Sequence, residues 1–380
     1  MRGCITKRKS SWAFVIDIGK DPKSGKRKQK WKSGFATKKE AEIALANVLA
    51  ELGRTGEYTE PSNEFFGDFL LMWLEHRKNQ VRPGTFKTAK WLIHNYIIPN
   101  IGAISISKLA PIHLQSLYDE LRKKLSTQSI VHCHRTIKMA LEDACTWGKI
   151  PKNVANLVKP PKIVAEKFRV WDEGQLRTFL EIARSHRLYI AFLLAASTGM
   201  RQGEILGLRW KDIDFEKATL SVSQALARDH KGFMLGEPKT SSSRRTIALP
   251  LNVIRALKQH RKLQLAEKLA AERYEDHGLV VQTLVGTPVS PRNFARVWYS
   301  LLKRAGVPKI RFHDLRHTHA TLMLKQGTHP KIVSERLGHS SIQVTLDTYS
   351  HLLPNMQAAA AESFGKLLEP PGTESEYTAL

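Results

Sequence analysis

The chemically versatile side chains of this chain are concentrated in four short stretches of its second half. "STGMRQGEILGLRWKDID" holds Arg201 and Glu204, "EPKTSSSRRTIALP" holds Lys239, "RFHDLRHTHATLML" holds His313, Arg316 and His317, and "LGHSSIQVTLDTYSH" holds His339 and Tyr349. Guanidinium, ammonium, imidazole and phenol groups can hold an anion, move a proton or attack as a nucleophile. Each also has a plainer reading. A lone arginine or a turn lysine is usually a solvated charge. Tyr349 shares a helical face with Ile342 and Leu346 at i, i+4 and i+7, which by itself describes a core aromatic. The cluster at 313–317 resists such a reading. His313, Arg316 and His317 fall at i, i+3 and i+4 on one helix face, with Leu315, Leu322 and Met323 roughly opposite, and would repel one another if protonated.

These residues need elements to position them. Arg201 follows a Thr-Gly turn and opens a helix carrying Glu204 and Leu206. "ATLSVSQALA", "GFMLGEPKT" and "SRRTIALP" predict three short antiparallel strands, with Lys239 at the turn between the last two. The rest of residues 168–365 reads as helix. Upstream, residues 61–160 carry four helical patterns: "NEFFGDFLLMWLEHRK", "RPGTFKTAKWLIHNYIIPNIG", "APIHLQSLYDELRKKL" and "TQSIVHCHRTIKMALEDACTWG". Pro83 and Pro111 stand near the starts of the second and third, and Gly102 and Gly148 at helix ends. A proline- and lysine-rich stretch, "KIPKNVANLVKPPKIVAEKFRV", reads as a linker with a boundary near Lys167. Residues 1–60 predict a basic hairpin, "SWAFVIDIG" and "KRKQKWKSGF", then a helix opened by a Thr37/Glu40 capping box. The tail after 365 has no means of packing by itself.

Charge narrows the partners. The chain has 380 residues, enough for two or three domains, and its 42% hydrophobic and 25% charged composition is that of a folded protein. Lysine and arginine number 60 against 35 acidic residues, a net charge of +25. The first 40 residues hold 13 basic and 3 acidic side chains. Such an excess opposes compaction and fits a polyanionic partner, nucleic acid in preference to a membrane. No apolar run approaches the ~20 residues that a membrane span needs. Cys4, Cys133 and Cys145 form no CxxC, which argues for a reducing compartment. "HCH" at 132–134 points its side chains in different directions and reads as a half-exposed helix over a buried Cys133, not a metal site. The N-terminus is basic but lacks an apolar core, so it does not read as a signal peptide, and a cytoplasmic location follows.

Arg201 in "TGMRQGEILGLRW", "HDLRHT" at 313–318, "LGHSS" at 337–341 and "YSH" at 349–351, in this order, resemble the tyrosine recombinases, most closely the phage and mobile-element integrases. The resemblance covers residues 168–360. It implies a mostly α multidomain fold: a small α+β arm-type DNA-binding domain (1–60), a helical, SAM-like core-site DNA-binding domain (61–160), a mixed α/β catalytic domain, mainly α with a small antiparallel sheet (168–365), and a flexible tail (366–380). It implies a site-specific recombinase, an integrase working without metal, ATP or cofactor on double-stranded DNA at core-type and arm-type attachment sites. The implied assembly is a homotetramer in a bacterial cytoplasm, with room for a directionality factor and a host DNA-bending protein. By the same resemblance Tyr349 is the nucleophile, Arg201 and Arg316 hold the scissile phosphate, Lys239 is a general acid, His313 and His339 assist proton transfer, and Glu204 orders the site. A type IB topoisomerase and a chromosome-dimer resolvase share this chemistry, but neither has use for the basic unit at 1–60. A DNA-binding repressor without activity predicts loss of Arg201, Arg316 or Tyr349, and all three are present. A metal-dependent nuclease would need more carboxylates near these motifs.

The chemistry accounts for the residue types. Attack on a phosphodiester builds negative charge, which guanidinium forks match at any working pH. A phenol with a pKa near ~10 is mostly protonated at neutrality, so a cationic pocket is expected to lower that value and a neutral histidine, His313 first, to take the proton. The resulting 3′-phosphotyrosine keeps the energy of the broken bond, so a second DNA end can reseal it. Tyr349 is expected on a helix packed loosely enough for its hydroxyl to reach the phosphate, and the segment after Leu353 to dock on a neighbouring subunit.

Overall fold

The computed structural model describes residues 3–8, 10–20, 27–55, 63–163, 169–229, 232–236 and 244–349, with isolated positions beyond. The chain divides into two compact units, Met1–Ala165 and Glu166–Leu380.

The first unit begins with an antiparallel sheet in the order β1 (Gly3–Arg8), β2 (Ser11–Lys20), β3 (Arg27–Phe35). The alternation in β2 turns Phe14 and Ile16 inward, where they meet Leu45 of α1 (Lys38–Thr55) in a small core. The helix start is capped as expected: Glu40 N donates to Thr37 Oγ1 at 3.2 Å, and Glu40 Oε2 accepts from Ala36 N at 3.0 Å. β1 is an addition to the expected hairpin. Its six residues carry no run of apolar alternation, and pairing along β2 from Gly3–Ile16 to Arg8–Ser11 supplies its order.

Helices α2 (Phe66–Arg77), α3 (Pro83–Leu92), α4 (Ile98–Ile101), α5 (Pro111–Arg122) and α6 (Thr127–Thr146) follow. The second helical pattern, expected as one helix, is α3 and α4 joined by a π-turn over Ile93–Ile97. Pro99 explains the change: proline offers no N–H and its ring crowds the carbonyl four residues back. The helix widens, and Ile98 N bonds Ile93 O instead. Trp73, Tyr118 and Cys133 lie in the core of this bundle. His134 is buried too, its Nδ1 2.7 Å from the Tyr118 hydroxyl, so "HCH" is a structural pair beside an exposed His132.

The second unit is built on α7 (Glu173–Ala183), α8 (Tyr189–Thr198), α9 (Gln202–Leu206), α10 (Leu251–Ala270), α11 (Pro291–Ala305), α12 (Asp314–Lys325), α13 (Pro330–Leu337) and α14 (Ile342–Tyr349). Strands β4 (Ile213–Asp214), β5 (Thr219–Val222), β6 (Ala225–Asp229), β7 (Gly232–Gly236) and β8 (Arg245–Ala248) form two sheets, β4-β5-β8 and β6-β7. The stretch expected as one strand, 218–227, therefore splits at Ser223–Gln224. Ser223 Oγ donates to Asp212 Oδ1 at 2.8 Å and Gln224 Nε2 to Gly207 O at 2.7 Å, so two polar side chains tie the chain down between sheets. The core stacks Trp171, Phe179, Phe192, Phe294, Trp298 and Phe312, with ring centroids 4.7–6.3 Å apart. It forms the floor on which α8 and α12 carry the residues described next.

Candidate active site

Helix α8 ends at Gly199, whose φ of +65° puts it in the left-handed region. A Cβ there would lie 2.5 Å from Leu337 Cδ2 and 2.9 Å from His319 Cδ2, so only glycine lets α12 and α13 close on this turn. Its carbonyl accepts a hydrogen bond from Arg316 Nη1 at 2.9 Å. The turn then delivers Arg201 to the start of α9.

Glu204, one helical turn on, is buried and engages two arginines. Its Oε1 accepts from Arg201 Nη1 at 2.8 Å, and its Oε2 from the Arg201 backbone N–H at 3.0 Å and from Arg245 Nη2 at 2.9 Å. Burial alone would raise its carboxyl, but the hydrogen bonds and charges of Arg245 and Arg201 outweigh that and hold it below the usual range. Arg245, on β8, also donates from Nε to Arg336 O at 2.7 Å, and Arg336 in turn donates from Nη2 to Ser197 O at 2.7 Å and from Nη1 to Ala248 O at 3.0 Å. Those two arginines lock the end of α13 to α8 and β8. Neither is marked out in the sequence, because their partners, the Glu204 carboxylate, the His319 ring and several backbone carbonyls, lie far along the chain. The one available signal is the doubled arginine of "SRRTIALP", whose second member falls on the inward parity of a strand.

Arg316 is the least satisfied group of the cluster. It is 4% exposed, and among the described residues its Nη2 has no hydrogen-bond partner. Burial, then the nearby charges of Arg201 and Arg245, push its pKa down to about 9, with Glu204 and Tyr349 opposing. A buried guanidinium nitrogen of this kind is the place for an anion.

Three histidines surround it. His313 caps α12 and is pushed down by burial and by Arg316. His339 follows Gly338, the left-handed cap of α13 whose carbonyl takes Arg201 Nη2 at 3.4 Å. Burial, then Arg316 and Arg201, lower His339 to about 4. His317 is likewise lowered to about 4, by burial and then by His313. All three are therefore neutral at neutral pH.

Tyr349 ends α14 at 1% exposure, and its hydroxyl lies 2.8 Å from His317 Nδ1. This differs from expectation in three ways. His317 rather than His313 touches the phenol; the His313 ring instead stands edge-on to His317, 5.5 Å away. The buried face of α14 is Thr345 and Tyr349, while Leu346 is exposed. The phenol is raised to about 12, because burial outweighs the opposing pull of Arg316. Tight packing against Ala320, Leu324, Val333 and Leu337 is the cause, in place of the loose packing expected. Arg201, Glu204, His313, Arg316, His339 and Tyr349 thus come together. Lys239 and the segment after Tyr349 lie outside the described residues.

Comparison with known proteins identifies the family. Residues 169–356 match the phage integrase family, residues 4–52 an arm DNA-binding domain and residues 65–122 a phage integrase N-terminal SAM-like domain. A tyrosine recombinase XerC-like protein of Caldanaerobacter subterraneus subsp. tengcongensis is 32% identical, over 94% of this chain and 97% of its own. Among solved structures, a Tn1549 transposon integrase in complex with a circular intermediate DNA shares the fold at a TM-score of 0.68 and 23% identity, over 80% of this chain and 99% of that one. A lambda integrase tetramer bound to a Holliday junction does so at 0.57 and 17%, over 89% and 95%. The chain belongs to the phage integrase family of tyrosine recombinases and is a site-specific recombinase of the integrase class, an enzyme that cleaves and rejoins DNA.

Proposed function

We propose that Tyr349 attacks the scissile phosphodiester of duplex DNA and forms a 3′-phosphotyrosine bond, releasing a 5′-hydroxyl. The observation that carries this reading is the unbonded, buried Nη2 of Arg316, set among Arg201, His313, His339 and the Tyr349 phenol. A phosphate's non-bridging oxygens would complete the hydrogen bonding of Arg316, whose Nη1 is held by Gly199 O, and would lie beside Arg201, whose terminal nitrogens are steadied by Glu204 and Gly338 O. The phenol O–H gives its proton to Nδ1 of His317, its observed neighbour. The oxygen bonds phosphorus, the P–O5′ bond breaks, and the leaving oxygen takes a proton from Lys239. Rejoining is the same sequence reversed, with the 5′-hydroxyl of another end attacking the phosphotyrosine. All positive charge in these steps comes from side chains, so neither metal nor ATP is needed.

The assembly is a homotetramer on two duplexes, and the reaction inserts or excises a prophage or other mobile element. The domains are an arm-site module at 1–60, a core-site module at 61–160 and the catalytic domain at 168–365. The basic excess of the first 40 residues suits arm-type sites. Accessory bending and directionality proteins act through DNA, and the enzyme works in the bacterial cytoplasm; no helix among the described residues is long and apolar enough to cross a membrane.

The test uses nicked half-site DNA from the ends of the element, incubated with the protein in EDTA and resolved on a denaturing gel. A covalent adduct is expected, lost in Tyr349→Phe. Absence of any adduct, or one that persists in Tyr349→Phe, defeats the assignment.

A further inference from the structure

Of the five buried helical threonines among the described residues, three turn their hydroxyls back onto the carbonyl four residues earlier, and a fourth, Thr321, has no hydrogen-bond partner there. Thr136 does so to His132 O at 2.9 Å, Thr318 to Asp314 O at 3.0 Å and, next to the residue in question, the more exposed Thr348 to Val344 O at 2.6 Å. Thr345 does not. The carbonyl it would use, Ser341 O, is approached by Ser334 Oγ at 3.3 Å, and the Thr345 hydroxyl lies 2.8 Å from Nδ1 of His339. Thr345 is 1% exposed. Leaving a buried hydroxyl hydrogen without an acceptor is costly, and among the described residues Nδ1 of His339 is the acceptor within reach. Nδ1 therefore accepts. A neutral imidazole carries a single N–H, so that hydrogen sits on Nε2.

We propose that Thr345 is a positioning residue that fixes His339 as its Nε2–H tautomer, so that the ring offers a hydrogen-bond donor to a non-bridging oxygen of the scissile phosphate. With the other tautomer the ring would turn a lone pair toward an anion. The inference rests on the reading of this site as the phosphate-binding centre. It adds a link between groups: Thr345 and Tyr349 stand at i and i+4 on the buried face of α14, so the helix that carries the phenol also sets the proton on the histidine. Burial and the arginines keep His339 neutral, so the choice of tautomer matters at working pH.

The test compares adduct formation on the nicked half-site in a set of variants. Thr345→Val keeps the shape and removes the hydroxyl; it should slow the reaction about three- to tenfold, the bias that one neutral hydrogen bond supplies. Thr345→Ser should return it to within about twofold of the parent. The control that separates tautomer choice from packing is His339→Trp, whose indole has a fixed N–H and no tautomer. In that background Thr345→Val should cost nothing. A parental rate in Thr345→Val, or an undiminished loss in the tryptophan background, overturns the proposal. Nitrogen-15 NMR of labelled histidine reads the ring directly, and decides alone should the tryptophan protein prove inactive. Protonated Nε2 at His339 in the parent, mixed in Thr345→Val, is expected; a protonated Nδ1 in the parent refutes it. Loss of adduct in Tyr349→Phe together with parental rates in Thr345→Val sinks this inference alone. An adduct in Tyr349→Phe sinks the reading beneath it.

Discussion

Replacing Arg316 by methionine should make the DNA-free protein more stable while abolishing cleavage. The guanidinium is 4% exposed, one terminal nitrogen has no partner, and Arg201 and Arg245 add like charge nearby. Leaving a donor of a buried charged group unsatisfied costs about 1–3 kcal/mol, and exchanging a buried ion for an apolar side chain of similar volume ranges from neutral to about 4 kcal/mol stabilising. Against this stands the bond from Nη1 to Gly199 O at 2.9 Å, whose loss leaves a carbonyl short of a partner and costs about 1–2 kcal/mol, and the weaker attraction of Glu204. The balance is a gain of about 1–2 kcal/mol. For a unit the size of Glu166–Leu380, that raises Tm by roughly 2–6 °C. Thermal unfolding of the full chain, in low salt and without DNA, measures it. Repeating the scan with added inorganic phosphate gives the second half of the test. The parent should gain stability by mass action as the anion takes the vacant donor, and the methionine protein should not, so the gap narrows. A methionine variant less stable than the parent by more than about 1 kcal/mol without anion would refute the view that Arg316 is held at a loss.

Glu204→Gln should cost about 3 kcal/mol at pH 7, most of it from the Arg245 pair, since Arg201 is 38% exposed on its side chain and screened. The folded carboxyl lies below its unfolded value near ~4.3, so its contribution is present above that pH and fades as pH falls through the folded pKa; Tm measured from pH 7 to pH 3 should show the glutamine deficit shrinking, and a constant deficit counts against the ion-pair account. Gly199→Ala should destabilise by about 2–4 kcal/mol, combining left-handed strain with the clash at Leu337 and His319, and should lower adduct formation by moving the Arg316 acceptor. Urea unfolding paired with the gel assay tests this, and a loss below about 1 kcal/mol with normal cleavage would contradict it.

The motifs that carry the candidate site residues were legible because their spacing is local. Gly199-Met200-Arg201 is a turn into a helix, and His313 to His317 is one helical turn; Thr345, buried one turn before Tyr349, is not marked out, because an isolated threonine carries no signal of its own. What was not legible depends on partners distant in sequence. Arg245 and Arg336 look like ordinary basic residues until β8 and α13 are packed against α8. The split of 218–227 into β5 and β6 is invisible in an alternation that runs through it, because Asp212 and Gly207, upstream, hold the break open. β1 lacks a pattern of its own and exists by pairing. The exposed Leu346 misled for a related reason: helical period identifies a face, but only the neighbouring α12 and α13 decide which face is buried.

Electrostatics also bears on when the phenol of Tyr349 gives up its proton. In the DNA-free site the phenol is raised to about 12 and its hydrogen-bond partner His317 is lowered to about 4. Both shifts oppose moving the proton between them ahead of attack. On the proposed reading, then, the phenol does not ionise ahead of attack. The same burial that keeps Tyr349 protonated also keeps His317 basic-nitrogen first, unprotonated and able to accept. The transfer becomes affordable only when the phenolic oxygen is already bonding to phosphorus, so that the negative charge passes to oxygens held by Arg316 and Arg201 and the new imidazolium faces a more anionic centre. On that reading proton transfer and attack are coupled, and the nucleophile ionises only against a bound phosphate.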